Sequence, residues 1–140
     1  MQVELSSALE HNRQTAVKAM QALFENHFDS ADNYFHPQAR WWIIGQGDLS
    51  HEAVRALAHK TEGGHTAAKL TILDTVAEAN KVCVEAQGDM ILQDGRPYQN
   101  TYHHVLEFKD GLIYRIREYF DTNYVRRLFG ETLYDETGTD

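Results

Sequence analysis

The chain reads as an α+β protein in which a curved, mostly antiparallel sheet wraps around N-terminal helices. Three observations predict it. Residues with helical spacing fill the first third, residues with strand alternation fill most of the remainder, and the last two strands meet at an Asp-Gly turn. Val17, Met20, Leu23, Phe24 and Phe28 share one face of a helix from Asn12 or Arg13 to His27. Asp29 and Ser30 can cap a short second helix through Tyr34 and Phe35, which Pro37 ends. Aromatic and β-branched content makes residues 39–44 a strand, and Gly45-Gln46-Gly47 breaks it. Ser50 opens a third helix to about Lys60, with Val54, Leu57 and Ala58 inward and a loop at Glu62-Gly63-Gly64-His65 behind it. Strands follow at about 69–78 and 81–91, then the final pair. Residues 122–129 form a closing helical turn ended by Gly130, and the acidic remainder from 131 to 140 frays.

The final hairpin carries the candidate chemistry. On its second strand Leu112, Tyr114, Ile116, Glu118 and Phe120 share one face, while Arg115 and Arg117 share the other. Side chains alternate across a strand, so the arginines go to water and Glu118 goes inward. On the first strand Asn100, Tyr102, His104, Leu106 and Phe108 form the more apolar and aromatic face. A two-residue loop at Asp110-Gly111 would set His104 opposite Arg117. A three-residue loop at Lys109-Asp110-Gly111, with Gly111 as a left-handed bulge, pairs Phe108 with Leu112 and buries both better faces. That register sets His104 opposite Ile116, Tyr102 opposite Glu118 and Asn100 opposite Phe120. Asn100, Tyr102, His104 and Glu118 then converge on one interior. A buried carboxylate there is either a hydrogen-bonded structural group or a general acid/base.

Composition limits the function classes. A chain of 140 residues with net charge −8 and no Lys/Arg run predicts no nucleic-acid surface and no acidic-membrane binding. No apolar run approaches the roughly 20 residues that span a bilayer, and Met1-Gln2-Val3-Glu4-Leu5 lacks the character of a signal peptide. The lone Cys83 excludes an intrachain disulfide and fits a reducing cytoplasm. Eight histidines include no His-Glu-x-x-His pattern and no Cys partners, so no metal site is predicted. No glycine-rich phosphate loop is present either, and any chemistry is expected to be cofactor-free proton transfer or water activation.

The segments Lys81-Val82-Cys83-Val84-Glu85-Ala86, Gly95-Arg96-Pro97-Tyr98, Tyr102-His103-His104, Asp110-Gly111 and Arg117-Glu118-Tyr119-Phe120-Asp121 resemble the SnoaL-like proteins. These belong to the superfamily of nuclear transport factor 2, ketosteroid isomerase and limonene epoxide hydrolase. The resemblance makes residues 1–140 a single SnoaL-like domain with a core at about 12–130. It implies a cone-shaped α+β barrel with a deep apolar pocket, commonly dimeric through the outer face of the sheet. It implies no single activity, because this fold hosts isomerases, cyclases, hydrolases and non-catalytic adaptors.

Residue by residue, Glu118 falls where limonene epoxide hydrolase has its catalytic aspartate. That enzyme's water-positioning tyrosine and asparagine fall on Trp41 and Ile43, and its supporting arginine and aspartate fall on Glu85 and Gln87. The base of ketosteroid isomerase falls near Trp42 or Ile43, and its helix-one tyrosine near Ala19. Both apparatuses are therefore incomplete. In SnoaL-type cyclases a late histidine and carboxylate transfer the proton, a role that His104 with Glu118 or Asp121 could imitate. The resulting expectation is a cofactor-independent isomerase, cyclase or hydrolase acting on an apolar oxygenated small molecule. Glu118, His104 and Tyr102 would be catalytic, and Asn100, Trp41, Tyr114, Phe120, Glu85 and Leu106 would line the substrate. Glu85 stays ambiguous, since the apolar count turns it outward and the family alignment inward. Asp121 reads first as a helix cap. The rival expectation is a non-catalytic pocket domain for an apolar ligand or protein partner. A two-fold dimer is expected through Thr101, His103, Val105, Ile113 and Tyr119 on the outer face.

Overall fold

A computed structural model describes residues 2–61 and 65–130. The loop expected at 62–64 and the tail from 131 lie outside the described residues, as do the side chains of Leu57 and Ala58. In chain order the elements are α1 (Gln2–Phe24), α2 (Phe28–Asp32), β1 (Phe35–Ile43), β2 (Gly47–Ser50), α3 (His51–Thr61), β3 (His65–Glu78), β4 (Lys81–Leu92), β5 (Pro97–Lys109), β6 (Leu112–Phe120) and α4 (Thr122–Phe129). The strands form one sheet in the order β2-β1-β6-β5-β4-β3. Only β1 and β6 run parallel. The expected α+β architecture is present, with the sheet curved around α1 but open along β2 and β3 instead of closing into a barrel.

Helix α1 starts well before the expected Asn12. Residues such as Glu4, Leu5, Ala8, Leu9 and Glu10 favour helix without an apolar face to bury, so periodicity is silent there. Its inner face, Ala16, Ala19, Met20, Leu23 and Phe24, is buried with Val82, Val84, Ala86, Leu106, Ile113 and Ile116 of the sheet. Helix α2 begins ahead of its expected cap, after His27, whose side chain makes no capping bond. Phe35 already belongs to β1, and Pro37 sits inside that strand, exposed, where the β1–β6 register slips between Phe35 and Arg40. Strand β2 was not expected. Gly45 and Gly47 at φ 84° and 94° turn the chain back so that Leu49 faces Trp41, and the four-residue strand is too short for its alternation to register. Ser50 caps α3 as expected, its Oγ accepting from the Ala53 amide at 3.1 Å.

The hairpin register needs correction. Lys109 pairs with Leu112 across a two-residue turn whose Asp110 and Gly111 take φ 54° and 77°, the two left-handed residues of a type I′ turn. A bulge then inserts Tyr114, since Glu107 faces Arg115 while Phe108 faces Ile113. Beyond it, Leu106 faces Ile116, His104 faces Glu118 and Tyr102 faces Phe120. Turn and bulge together return the even positions to one face by a route that neither simple loop provides. Ile113 takes the inward place expected of Leu112 and Tyr114. Among the described residues, no helix is long and apolar enough to cross a membrane.

Candidate functional site

The alternation of β5 sends Asn100, Tyr102, His104, Leu106 and Phe108 to the covered face and Gln99, Thr101 and His103 to the other. Beyond the bulge, β6 does the same with Ile116 and Glu118. Directly opposed across the two strands, His104 Nε2 and Glu118 Oε1 lie 2.8 Å apart. The His104 side chain has no exposed surface and that of Glu118 keeps 9%. Against an ionised carboxylate, which only accepts hydrogen bonds, Nε2 would carry the imidazole proton and Nδ1 would keep its lone pair. That Nδ1 is buried and has no hydrogen-bond partner among the described residues.

Aromatic rings enclose the pair. Phe24 of α1 meets the His104 ring edge-on at 5.6 Å, Tyr102 stacks at 5.8 Å and Trp41 of β1 stands edge-on at 6.3 Å. Parallel pairing of β1 with β6 sets Trp41 beside Ile116 and Ile43 beside Glu118, which brings the indole to the pair. The arrangement is that of an imidazole oriented by a carboxylate, the pairing used in general acid/base chemistry.

The other predicted site residues divide. Leu106 is fully buried beside the pair, and Phe120 is half-buried with its ring 6.0 Å from Tyr102. Tyr102 is buried, but it faces Phe120 and not Glu118, and its hydroxyl donates to Tyr98 Oη at 3.3 Å. Asn100 is occupied with structure. Its Nδ2 donates to the Asp121 carbonyl at 3.2 Å, and its Oδ1 accepts from the amides of Thr101 at 2.8 Å and Asp121 at 3.1 Å. It thereby ties β5 to the start of α4. Asp121 caps that helix, accepting from the Tyr124 amide at 3.1 Å, as expected.

Two predicted lining residues lie elsewhere. Tyr114, displaced by the bulge, packs against His36 at 5.1 Å, with Lys109 and Arg115 over its ring at 4.9 and 4.0 Å. Glu85 is exposed, as the apolar count indicated, in a shallow hollow of about 60 Å³ on the outer face with Asp74, Thr75, Val76, Cys83 and His103. Among the described residues, no group of three or more His, Cys, Asp or Glu side chains is placed to hold a metal ion.

Sequence reading missed a second histidine–carboxylate pair. His51 Nε2 lies 2.8 Å from Asp32 Oδ1, and Arg55 donates to the other Asp32 oxygen at 2.9 Å. The spacing of His51 and Arg55, one turn apart on α3, is the only local signal, and their partner comes from another helix. Phe24 was read as core, and its contact with His104 follows only from how α1 crosses the sheet.

Comparison with known proteins fits this architecture. A stretch of 55 residues, 39% of this chain, is 38% identical to the uncharacterised protein YesE of Bacillus subtilis strain 168, and it spans only 37% of that relative. The solved structure of Bal32a, from a soil-derived mobile gene cassette, superposes with a TM-score of 0.73 at 21% identity, covering 89% of this chain and 99% of that one. A protein of Jannaschia sp. CCS1, named as a candidate SnoaL-like polyketide cyclase, superposes at 0.68 and 15% identity over 87% and 93% of the two chains. At these identities the structural likeness is one of fold. The sequence itself matches the SnoaL-like domain over residues 16–116, well over half its length, and the chain belongs to that family.

Proposed function

We propose that this protein is a cofactor-independent enzyme of the isomerase, cyclase or hydrolase type, acting by general acid/base catalysis on an apolar small molecule that carries oxygen. The sealed His104–Glu118 pair carries the reading. His104 Nδ1 is the base, and Glu118 orients the ring and stabilises the imidazolium, a division of labour in which the carboxylate itself need not change protonation. This moves the proton-accepting role from Glu118 to His104. Tyr102 and Asn100 support the site through packing and the β5–α4 junction, and Trp41, Leu106 and Phe120 supply its apolar surroundings. Native mass spectrometry of freshly purified protein should identify a co-purifying ligand. On the substrate so found, Glu118→Gln should bind normally and turn over at least about a hundredfold more slowly. Undiminished turnover would remove the pair from the mechanism. A ligand retained without any turnover in the native protein would favour a non-catalytic pocket domain.

The same reading places the protein in a reducing cytoplasm, which suits the free Cys83. It also pairs two copies through the outer face of the sheet. Ile113 is fully buried and drops out of that surface, while Thr101, His103, Val105 and Tyr119 remain partly or well exposed. Exposed Leu73, Val76 and Ile91 extend the apolar share of this region. Light scattering at micromolar concentration should return twice the 16.1 kDa chain mass. A monomer mass would end the dimer.

A further inference from the structure

The outer face of the sheet carries opposite charges on its two halves. On β6, Arg117 is exposed and lies over the Trp42 ring of β1 at 4.1 Å, its Nε donating to Tyr119 Oη at 3.2 Å. Two strands away, Asp74 of β3 and Glu85 of β4 are exposed and line the shallow hollow with Val76, Cys83 and His103. Among the described residues, neither Arg117 nor Glu85 has an ion-pair partner. In a chain of net charge −8, an exposed arginine braced by two aromatic side chains and left without a carboxylate is presented to a partner. The register sets these groups in two adjacent rows. Trp42, Arg117, Val105, Cys83 and Val76 form one, and Tyr119, His103, Glu85 and Asp74 form the next.

We infer that two copies of this chain each seat Arg117 in the other's hollow. Charge selects the two-fold arrangement that does this. An axis lying between the two faces and along β5 sets β6 of one copy over β4 of the other, and β1 over β3. Arg117 then faces the partner's Cys83 and reaches the carboxylates of the partner's Glu85 and the partner's Asp74. Along the same row Trp42 covers the partner's Val76, and Val105 meets its own counterpart. Val76 is 60% exposed in the single chain, so this contact removes apolar surface between the two ionic ones. An axis running across the strands would instead lay β6 on β6 and β4 on β4, arginine against arginine and carboxylate against carboxylate. The inference rests on the outer-face dimer proposed above, and it adds which strands meet and which side chains choose the partner.

Charge reversal tests the arrangement in the full chain, with light scattering reading mass and native mass spectrometry reading composition. Arg117→Glu sets acid against acid, and Glu85→Arg sets base against base, at both contacts of the symmetric pair. Each variant alone should dimerise at least about tenfold more weakly than the native chain at low salt. Mixed in equal amounts, the two should form a heterodimer within about fivefold of native affinity, because both contacts then join opposite charges. Salt should act with opposite signs, weakening the native dimer and strengthening that of Glu85→Arg. If Arg117→Glu does not fold, that opposition of sign decides alone. Variants that dimerise as tightly as the native chain, a mixture no tighter than either variant, or salt acting alike on both would overturn the pairing and leave the outer-face dimer standing. A native chain that is monomeric at every salt concentration would remove both.

Discussion

Two histidine–carboxylate pairs in this molecule share one local geometry and differ in everything around it. In each, Nε2 meets a carboxylate oxygen at 2.8 Å and Nδ1 is buried without a partner among the described residues. The side chains of His104 and Glu118 are 0% and 9% exposed, those of His51 and Asp32 are 26% and 39% exposed. Asp32 also holds Arg55, itself over the Phe28 ring at 5.5 Å, so the outer pair is one knot of a charged tie between α2 and α3. The inner pair is ringed by Phe24, Tyr102 and Trp41. Identical geometry therefore supports different roles. In a water-poor setting the carboxylate and imidazole interact with little screening. At the surface a cation and solvent share the carboxylate.

The sharpest way to break the comparison is to remove each carboxylate. Glu118→Ala should lower stability by about 3–5 kcal/mol, because it leaves a sealed imidazole N–H without its acceptor and opens a void beside Ile116. Denaturant unfolding would measure it, and a loss below about 1 kcal/mol would show that the inner pair is wetter than its burial indicates. Packing on the inner pair can be tested without touching its chemistry. A β-carbon on Gly88 would approach Tyr102 Cε2 at 2.9 Å, and that ring lies between Phe24 at 4.8 Å and His104 at 5.8 Å. Gly88→Ala should therefore cost about 1–3 kcal/mol and shift the His104 ring resonances. At the outer pair Asp32→Ala should cost no more than about 1 kcal/mol, since water can take over what His51 and Arg55 lose. Parity between the Asp32 and Glu118 losses would erase the distinction.

The same contrast explains how much was legible in the sequence. Alternation along 97–109, and along β6 beyond its bulge, is dictated by burial on one face, so the convergence of His104 and Glu118 could be read directly. Their direct opposition could not. It depends on a type I′ turn followed by a bulge at Tyr114, and the two compensate in a way that a choice between single loop lengths misses. Strand β2 and the Asp32–His51–Arg55 tie were invisible for another reason. A four-residue strand has too little alternation to register, and a polar tie between helices leaves no periodic trace in either. Asn100 shows the converse error. Its inward position was correct, and its amide was already committed to Asp121.

A third charged pair, its side chains 48% and 53% exposed, extends the series outward and gives the smallest expected effect. In the β4–β5 loop Arg96 donates from its backbone amide to Asp94 Oδ1 at 3.0 Å and from Nε to Oδ2 at 2.7 Å. Those bonds, the backbone one first, hold the Asp94 carboxyl below its ordinary 3.8. A lowered folded value means that whatever Asp94 contributes is present above about pH 4 and disappears as pH falls through the folded value. Arg96→Ala removes the guanidinium and keeps the amide. NMR titration should find the Asp94 carboxyl shifted upward in that variant but still short of 3.8, because the larger cause survives. A full return to the ordinary value would mean that the side chain, and not the turn of the backbone, holds the charge. Arg96 also donates to the Leu128 carbonyl at 2.8 Å near the end of α4. Any loss of stability in Arg96→Ala should therefore persist below the Asp94 titration, where only the carbonyl contact is left to lose, whereas a loss confined to neutral pH would assign it to the ion pair.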